Sequence, residues 1–395
     1  MILDIAKLRA ETPGTENVLH FNNAGAALMP RPVIDAVDRH FHREVETGGY
    51  EAAGEAAGRH AAIYDSAARL IGGKASEIAL VENATVAWQQ AFYSFRFNPG
   101  DRILTAEAEY AANYVAYLQA AKRSGVEVVV VPNDETGALS LPALENLVDD
   151  RVKLISVTHV PTNGGLVNPA AGIGKIAKAA RIPFLLDACQ SVGQMPIDVD
   201  GIGCDIICAT SRKYLRGPRG AGFLYVRSGL LESLEPPMID HHAAPWTAPG
   251  RYELRPDARR FENWENNIAG QLGMGAAIDY AIDLGIGNIW ERIRALSSLL
   301  RQRLTDLGGI TIRDLGTNPC GIVTFSVDGA DHLKLKSALR AEAINITVSD
   351  RSSTLLDMTA RGLETVCRAS VHCYNTEDEV ERFCETLDRL RRKAA

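Results

Sequence analysis

The stretch Pro183-Phe-Leu-Leu-Asp-Ala-Cys-Gln190 decides the fold, because its apolar run leads directly to a carboxylate at Asp187. A strand without alternating polar residues is typical of a sheet that is covered by helices on both faces. Outward from it lie six further strand-like runs, at residues 78–81, 102–105, 126–131, 152–158, 205–209 and 222–226. Helical patterns between several of them, at 85–95, 110–123, 141–148 and 171–180, predict an α/β fold with a mainly parallel seven-stranded sheet.

The pattern of predicted helices and strands changes near residue 262. Helical stretches at 268–284 and 289–307 precede a mixture of further strands and helices, with strands at 322–327, 345–348 and 365–373 and helices at 332–343 and 376–392. This mixture predicts a smaller α+β domain. We therefore expect a large α/β domain at residues 15–260 and a small domain at 261–395 that also takes in residues 1–14. Residues 235–260 are expected to form a long surface excursion.

Composition excludes several classes of protein. The 395 residues are 46% hydrophobic and 23% charged, which argues against a disordered chain, and the net charge of −7 argues against a nucleic-acid partner. No apolar run is long enough to span a bilayer, and the N-terminus has no signal-peptide core. Seven cysteines are few for this length and predict reduced thiols. We expect a cytoplasmic enzyme without a membrane partner or a metal site.

Two residues form the most specific candidate site. Asp187 ends its strand, and Lys213 lies in the loop Thr210-Ser-Arg-Lys213, which joins two strands without a helix between them. A buried carboxylate is costly unless it meets a cation, and this lysine is preceded by hydroxyls and an arginine. The pair suits pyridoxal phosphate, because a lysine can form the Schiff base and an aspartate can keep the pyridinium nitrogen protonated.

Further polar residues fall at the same predicted sheet edge, where α/β proteins bind ligands. Ala84 and Thr85 open a helix directly after a strand, so their N–H groups can bind phosphate. Tyr110 follows the next strand and can stack on a ring. Gln190 can contact a phenolic oxygen, and His159 follows another strand end.

A nicotinamide-dependent dehydrogenase is the alternative from a different class. Gly172-Ile-Gly174-Lys-Ile-Ala177 fits the dinucleotide fingerprint G-x-G-x-x-A. That fingerprint requires its glycines in a tight turn directly after a strand, whereas residues 160–171 intervene here. Ordinary helix glycines explain the match better.

The chain resembles class V aminotransferase-type enzymes of the fold-type I pyridoxal-phosphate superfamily, close to the cysteine desulfurase and C–S lyase branch. The resemblance extends from Leu19-His-Phe-Asn-Asn-Ala-Gly-Ala26 to Arg368-Ala-Ser-Val-His-Cys-Tyr-Asn-Thr376, and its landmarks are Asp187-Ala-Cys-Gln190, Ser211-Arg-Lys213 and Gly217-Pro-Arg-Gly220. It implies a homodimer with active sites near the interface and an amino-acid substrate. The implied cofactor contacts are Ala84, Thr85, Tyr110, Thr162, Asp187, Gln190, Thr210, Arg212 and Lys213.

The same resemblance implies that Arg368 binds the substrate α-carboxylate, a bidentate task that suits arginine. Asn23 and Ala24, in the segment 22–26, are expected to close over the substrate. Lys213 and Asp187 are the expected catalytic groups, and His159 is a candidate proton donor.

Three departures from the desulfurase pattern decide the expected reaction. Thr162 stands where desulfurases carry an asparagine, and residues 260–267 lack the threonine that reaches the partner's phosphate. The loop 349–363 contains no cysteine to take up sulfur as a persulfide. We therefore expect a C–S lyase that eliminates a β-sulfur group, with aminotransferase and amino-acid epimerase activities on the same scaffold left open.

Overall fold

The computed structural model describes residues 3–394. Its strands are β1 Leu19–His20, β2 Ile78–Val81, β3 Arg102–Ala106, β4 Glu127–Val131, β5 Val152–Thr158, β6 Phe184–Asp187, β7 Ile206–Thr210, β8 Gly222–Val226, β9 Trp246–Ala248, β10 Arg251–Tyr252, β11 Ile310–Ile312, β12 Ile322–Val327, β13 Ile344–Asn345, β14 Thr347–Asp350 and β15 Thr365–Ser370. Its α-helices are α1 Ile5–Ala10, α2 Arg31–Thr47, α3 Gly49–Ile71, α4 Ala84–Phe92, α5 Ala111–Ser124, α6 Leu141–Leu147, α7 Ala170–Ala180, α8 Val199–Ile202, α9 Ser228–Leu231, α10 Ile268–Leu284, α11 Ile286–Asp306, α12 His332–Ala341, α13 Leu355–Ala360 and α14 Glu377–Ala394.

The large sheet contains the seven predicted strands, in the order β2-β8-β7-β6-β5-β3-β4. Only β8 runs antiparallel to its neighbours, and the other pairs are parallel. Thr158 of β5 lies beside Asp187 of β6, which in turn lies beside Cys208 of β7. The carboxyl ends of these strands therefore meet at one edge, as the α/β prediction requires.

A second sheet follows later in the chain. Strands β11, β12, β15 and β14 form an antiparallel four-stranded sheet in that order. The N-terminal segment reaches this part of the molecule, because β1 pairs in parallel with β13. We propose the division at residue 260 as the boundary between the large and small domains.

Two long helices, α2 and α3, were not predicted from the sequence. Helix α3 contains Gly54 and Gly58 in its first half, and glycine lowers helix propensity by about 1 kcal/mol relative to alanine. Much of its buried face consists of small residues such as Ala52 and Ala56, which weakens the helical hydrophobic pattern. Both helices pack against α10. Tertiary packing thus stabilises them where local propensity is weak.

The glycines of the dinucleotide-like motif have a packing role. Gly172 and Gly174 lie inside α7, which begins well after the end of β5. A Cβ atom on Gly174 would lie 1.9 Å from the carbonyl oxygen of Ile202, so only glycine lets these two segments approach. The motif is therefore a helix-packing feature, and the nicotinamide reading loses its basis.

Two general expectations can be compared with the structure. No helix within residues 3–394 is long and apolar enough to cross a membrane. All seven cysteines fall within these residues and all are free thiols, as their low number predicts.

Candidate active site

A cavity of about 520 Å³ lies at the carboxyl edge of the large sheet. It collects every predicted cofactor contact: Ala84, Thr85, Tyr110, Thr162, Asp187, Gln190, Thr210, Arg212 and Lys213. These residues come from five separate segments of the chain, so only the parallel sheet brings them together. The volume falls within the range of small-molecule and cofactor sites.

Asp187 is held rigidly at the end of β6, with only 6% of its surface exposed. The side-chain amide of Asn113 donates to its Oδ2 at 2.9 Å, and the backbone N–H of Cys189 donates to its Oδ1 at 3.0 Å. Each carboxylate oxygen thus has one N–H donor, and the carboxylate lines the cavity as an acceptor that a pyridinium N–H could meet.

Lys213 lies in the loop between β7 and β8, which turns tightly at Gly217. A Cβ on Gly217 would lie 1.9 Å from the Ser211 hydroxyl, so glycine is required for the loop to close. Burial lowers the pKa of Lys213, and its amine contacts the thiol of Cys189. A lysine with a lowered pKa is a better nucleophile and base than a solvated one.

One end of the cavity is formed by the start of α4. Asn83 caps this helix by accepting the N–H of Val86, which leaves the N–H groups of Ala84 and Thr85 without helical acceptors. Thr210 and Arg212 line the cavity as well, and the Arg212 guanidinium also donates to the carbonyl of Gly25. Two hydroxyls, a guanidinium and a helix N-terminus are suited to a phosphate dianion.

Tyr110 and Gln190 line the part of the cavity where a ring is expected. Tyr110 precedes α5 and is partly exposed. The amide nitrogen of Gln190 donates to the carbonyl of Ala24 at 3.1 Å, whereas its buried Oε1 has no partner within the described residues. An unpaired buried polar atom is costly, which indicates that a ligand completes this site.

Arg368 is a buried cation without a carboxylate. Only 6% of its surface is exposed, and within residues 3–394 it forms no ion pair. Its Nη1 donates to the hydroxyl of Thr162 at 2.5 Å and to the carbonyl of Thr162 at 3.1 Å, while Nε has no partner in the described chain. Burial lowers its pKa to about 10. A guanidinium in this environment requires an anionic ligand.

Arg368 and three other predicted residues do not line the cavity. His159 is buried, burial lowers its pKa to about 4, and its Nδ1 has no partner within the described residues. Its role as a proton donor stays a prediction. Asn23 is fully buried and its amide bonds to the carbonyls of His20 and Ser370, while Ala24 contributes the carbonyl that receives Gln190. The side chain of Asn23 therefore supports the structure around the site, and its contact with substrate stays a prediction.

Four residues near the site were given no role in the sequence analysis. Cys189 and Arg219 line the cavity, Asn113 bonds to Asp187, and Glu109 bonds to Asn113. The only available signal for Glu109 and Asn113 was their spacing of four residues at the start of a helix, which places two side chains on the same face. Arg219 follows a proline in an exposed loop and gave no signal of burial or pairing.

Comparisons with known proteins agree with this geometry. The family model "Aminotransferase class-V" matches residues 19–383. A cysteine desulfurase from Yersinia pestis is 31% identical over 418 residues, covering 99% of each chain. The apo cysteine desulfurase from Thermococcus onnurineus NA1 superimposes with a TM-score of 0.89 at 27% identity, covering 99% of this chain and 98% of that one. The cystine C–S lyase C-DES, in complex with its product cysteine persulfide, has a TM-score of 0.86 at 21% identity, covering 95% of this chain and 99% of that one.

The fold and the cavity together define a fold-type I enzyme that uses pyridoxal phosphate. The residues present fit that cofactor, since Gln190 carries an unpaired buried oxygen at the cavity and the start of α4 has free N–H groups. The chain belongs to the class V aminotransferase family, in its cysteine desulfurase and C–S lyase branch.

Proposed function

We propose that this chain is a C–S lyase, which eliminates the sulfur group from a cysteine whose sulfur carries a substituent. The products would be pyruvate, ammonia and the sulfur-bearing fragment, with one water consumed. The observation that carries the proposal is the state of the thiols: burial raises the pKa of all seven cysteines above its ordinary value. Persulfide formation by a desulfurase requires a thiolate.

The segment that carries the mobile thiol in desulfurases supports the same proposal. Between Cys320 and Cys367 the chain contains no cysteine. Part of this segment forms α13. Thr354, which precedes this helix, and Met358 within it are buried and accept hydrogen bonds from the side-chain amide of Asn163. Cys367 itself lies within β15, fully buried, with its pKa raised to about 12. The sulfur is therefore expected to leave with its own substituent.

Each side chain has a separate role in the proposed reaction. Arg368, steadied by Thr162, would bind the substrate α-carboxylate through two charge-assisted hydrogen bonds. Lys213 would remove the proton from Cα, since its lowered pKa places it closer to neutrality. The pyridoxal phosphate supplies an electron sink for the carbanion, and Asp187 would keep its ring nitrogen protonated.

The structural neighbour C-DES has a name that bears on the proposed reaction. That protein is described as a cystine C–S lyase with cysteine persulfide as its product. At 21% identity the likeness establishes the fold alone. It does agree with a chemistry in which sulfur leaves the site attached to a small molecule.

A panel of S-substituted cysteines, thioethers and sulfoxides, tests the proposal. Pyruvate should form from at least one member with the cofactor-loaded enzyme, and none should form with Lys213→Ala. If no member yields pyruvate and the cofactor is converted stoichiometrically to its amine form, the enzyme is an aminotransferase. Deuterium uptake at Cα with inversion would assign it to the epimerases. If cysteine is converted to free alanine and its sulfur stays bound to the protein, the argument from the thiols is wrong.

We further propose a cytoplasmic homodimer. The excursion after α9 forms the β9–β10 hairpin, on which Trp246 is 75% exposed and its cross-strand partner Tyr252 is 48% exposed. Large exposed aromatic side chains near one another are typical of an interface. Light scattering coupled to size-exclusion chromatography should give twice the chain mass, and Trp246→Ser combined with Tyr252→Ser should shift it toward the monomer.

A further inference from the structure

Behind Asp187 lies a second buried carboxyl group, that of Glu109. It is 3% exposed and, within residues 3–394, forms no ion pair with a lysine, arginine or histidine. Its Oε1 accepts the N–H of Tyr110 at 2.9 Å and the hydroxyl of Thr158. Its Oε2 accepts the N–H of Thr158 at 3.0 Å and the hydroxyl of Thr105 at 3.1 Å. A carboxyl group with so many donors is built into the fold at considerable desolvation cost.

Asn113 joins the two carboxyl groups. Its Nδ2 donates to Oε1 of Glu109 at 2.9 Å and to Oδ2 of Asp187 at 2.9 Å. The Asn113 amide presents its nitrogen to an oxygen of each acid, and these two contacts determine its orientation. Both hydrogens of one NH₂ group are thus used to separate and orient two acids.

We propose that Glu109 and Asn113 are positioning residues for Asp187. The Asn113 amide fixes the plane of the Asp187 carboxylate, and the charge on Glu109 sets how tightly the proton between Asp187 and the cofactor ring is held. The proposal depends on the cofactor and applies equally to elimination, transamination or epimerisation.

The electrostatics of the surroundings support this arrangement. Burial and the nearby Asp187 charge raise the pKa of Glu109 to about 7, while the bonds from Thr158, Asn113 and Tyr110 oppose that rise. The remaining titratable neighbour is the phenol of Tyr117, whose pKa burial also raises. Glu109 therefore gains or loses its charge near neutral pH. When it is ionised, two negative charges face the ring nitrogen from the same side, and the ring proton should be held to higher pH.

The test measures the ring proton directly. Isotope-labelled pyridoxal phosphate is bound to the protein, and the ring-nitrogen chemical shift is followed by NMR across pH, without turnover. Glu109→Gln keeps an oxygen that can accept from Asn113 but removes the charge, so the ring nitrogen should lose its proton about one pH unit lower than in the wild type. An unchanged profile in this variant would overturn the role of the Glu109 charge.

The second arm tests the amide. Asn113→Ala removes the donor between the two acids, and the dissociation constant for pyridoxal phosphate should rise about tenfold. Asn168 is the matched control, a buried asparagine whose amide bonds to the carbonyl of Thr158 at 2.8 Å and does not contact Asp187. Asn113→Ser replaces Asn113→Ala if the alanine variant does not fold.

Asn168→Ala should retain wild-type affinity and the wild-type NMR profile. Equal losses in Asn113→Ala and Asn168→Ala would show a general structural effect and overturn the positioning role. Wild-type affinity in Asn113→Ala would overturn it as well. Neither result depends on which substrate the enzyme uses, so the C–S lyase proposal is tested separately.

Discussion

Arg368 and Thr162 form a direct hydrogen bond of 2.5 Å that links the small sheet to the large one. Arg368 lies on β15, and Thr162 lies in the segment that follows β5. The same guanidinium group donates to the backbone carbonyl of Thr162. Because the hydroxyl and the carbonyl share one nitrogen of Arg368, the other nitrogens remain available for a carboxylate. The hydrogen bond therefore attaches a strand of the small sheet to Thr162, a residue that lines the cavity.

The first prediction concerns this guanidinium. Arg368→Lys should raise KM for amino-acid substrates by at least tenfold with a smaller change in kcat, since a point charge cannot replace a bidentate contact. Steady-state kinetics on the best substrate of the panel checks this. Arg303→Lys, an exposed arginine paired with Glu381, should behave as wild type. If the wild-type enzyme converts amines that lack a carboxylate as efficiently as amino acids, Arg368 does not bind the α-carboxylate.

The second prediction concerns the pyridinium partner. Asp187→Asn should retain the fold but lower kcat by several orders of magnitude, because a neutral amide cannot keep the ring nitrogen protonated. In serine proteases, an aspartate-to-asparagine change that leaves the catalytic histidine with its proton on the wrong nitrogen lowers kcat by about 10⁴. Circular dichroism and cofactor absorbance establish that the variant is folded and loaded before its rate is measured. Near-normal turnover would reduce Asp187 to a structural role.

The third prediction concerns the cofactor linkage. Lys213→Ala should abolish turnover and leave pyridoxal phosphate bound only non-covalently. After borohydride reduction and digestion of the wild type, mass spectrometry should find the pyridoxyl group on the Lys213 peptide. Lys178→Ala, at an exposed position of α7, should still carry the label on Lys213. A label found only on another lysine would refute the assignment.

The fourth prediction concerns stability and pH. The folded-state pKa of Glu109 is about 7, above its ordinary value of 4.5, so the folded protein retains a proton that the unfolded chain has lost between these values. Stability from this group is therefore full below pH 4.5 and falls as the pH rises to 7. Relative to Glu109→Gln, the free energy of unfolding of the wild type should fall by about 3 kcal/mol across this window.

Urea unfolding of both cofactor-free proteins at several pH values from 4.5 to 8 measures this difference, and the other titrating groups cancel between them. If the difference between the two proteins does not change with pH, the pKa of Glu109 is the same in the folded and unfolded chains, and the prediction is wrong.

Much of the large sheet was predictable because its strands are buried on both faces and therefore read as continuous apolar runs. The first and last residues of β2, β5 and β8 agree with the prediction. The helices between the strands differ from it by a few residues at their ends. Helices α2 and α3 were not predictable in the same way, since glycine and alanine on their faces carry little hydrophobic signal. Their packing against α10 supplies what the local sequence lacks.

The sequence by itself determined the cofactor chemistry, because Asp187 and Lys213 each follow a strand that must end at the same edge of a parallel sheet. It also determined that the segment between Cys320 and Cys367 carries no thiol. Only the tertiary structure decided which side chains are free to act. In the folded chain Arg368 is buried without a carboxylate partner, and the amide of Asn23 is bonded to the backbone. The fold also places Glu109 and Asn113 behind Asp187. Hydrogen-bond partners and desolvation depend on residues far apart in the chain, and no local pattern encodes them.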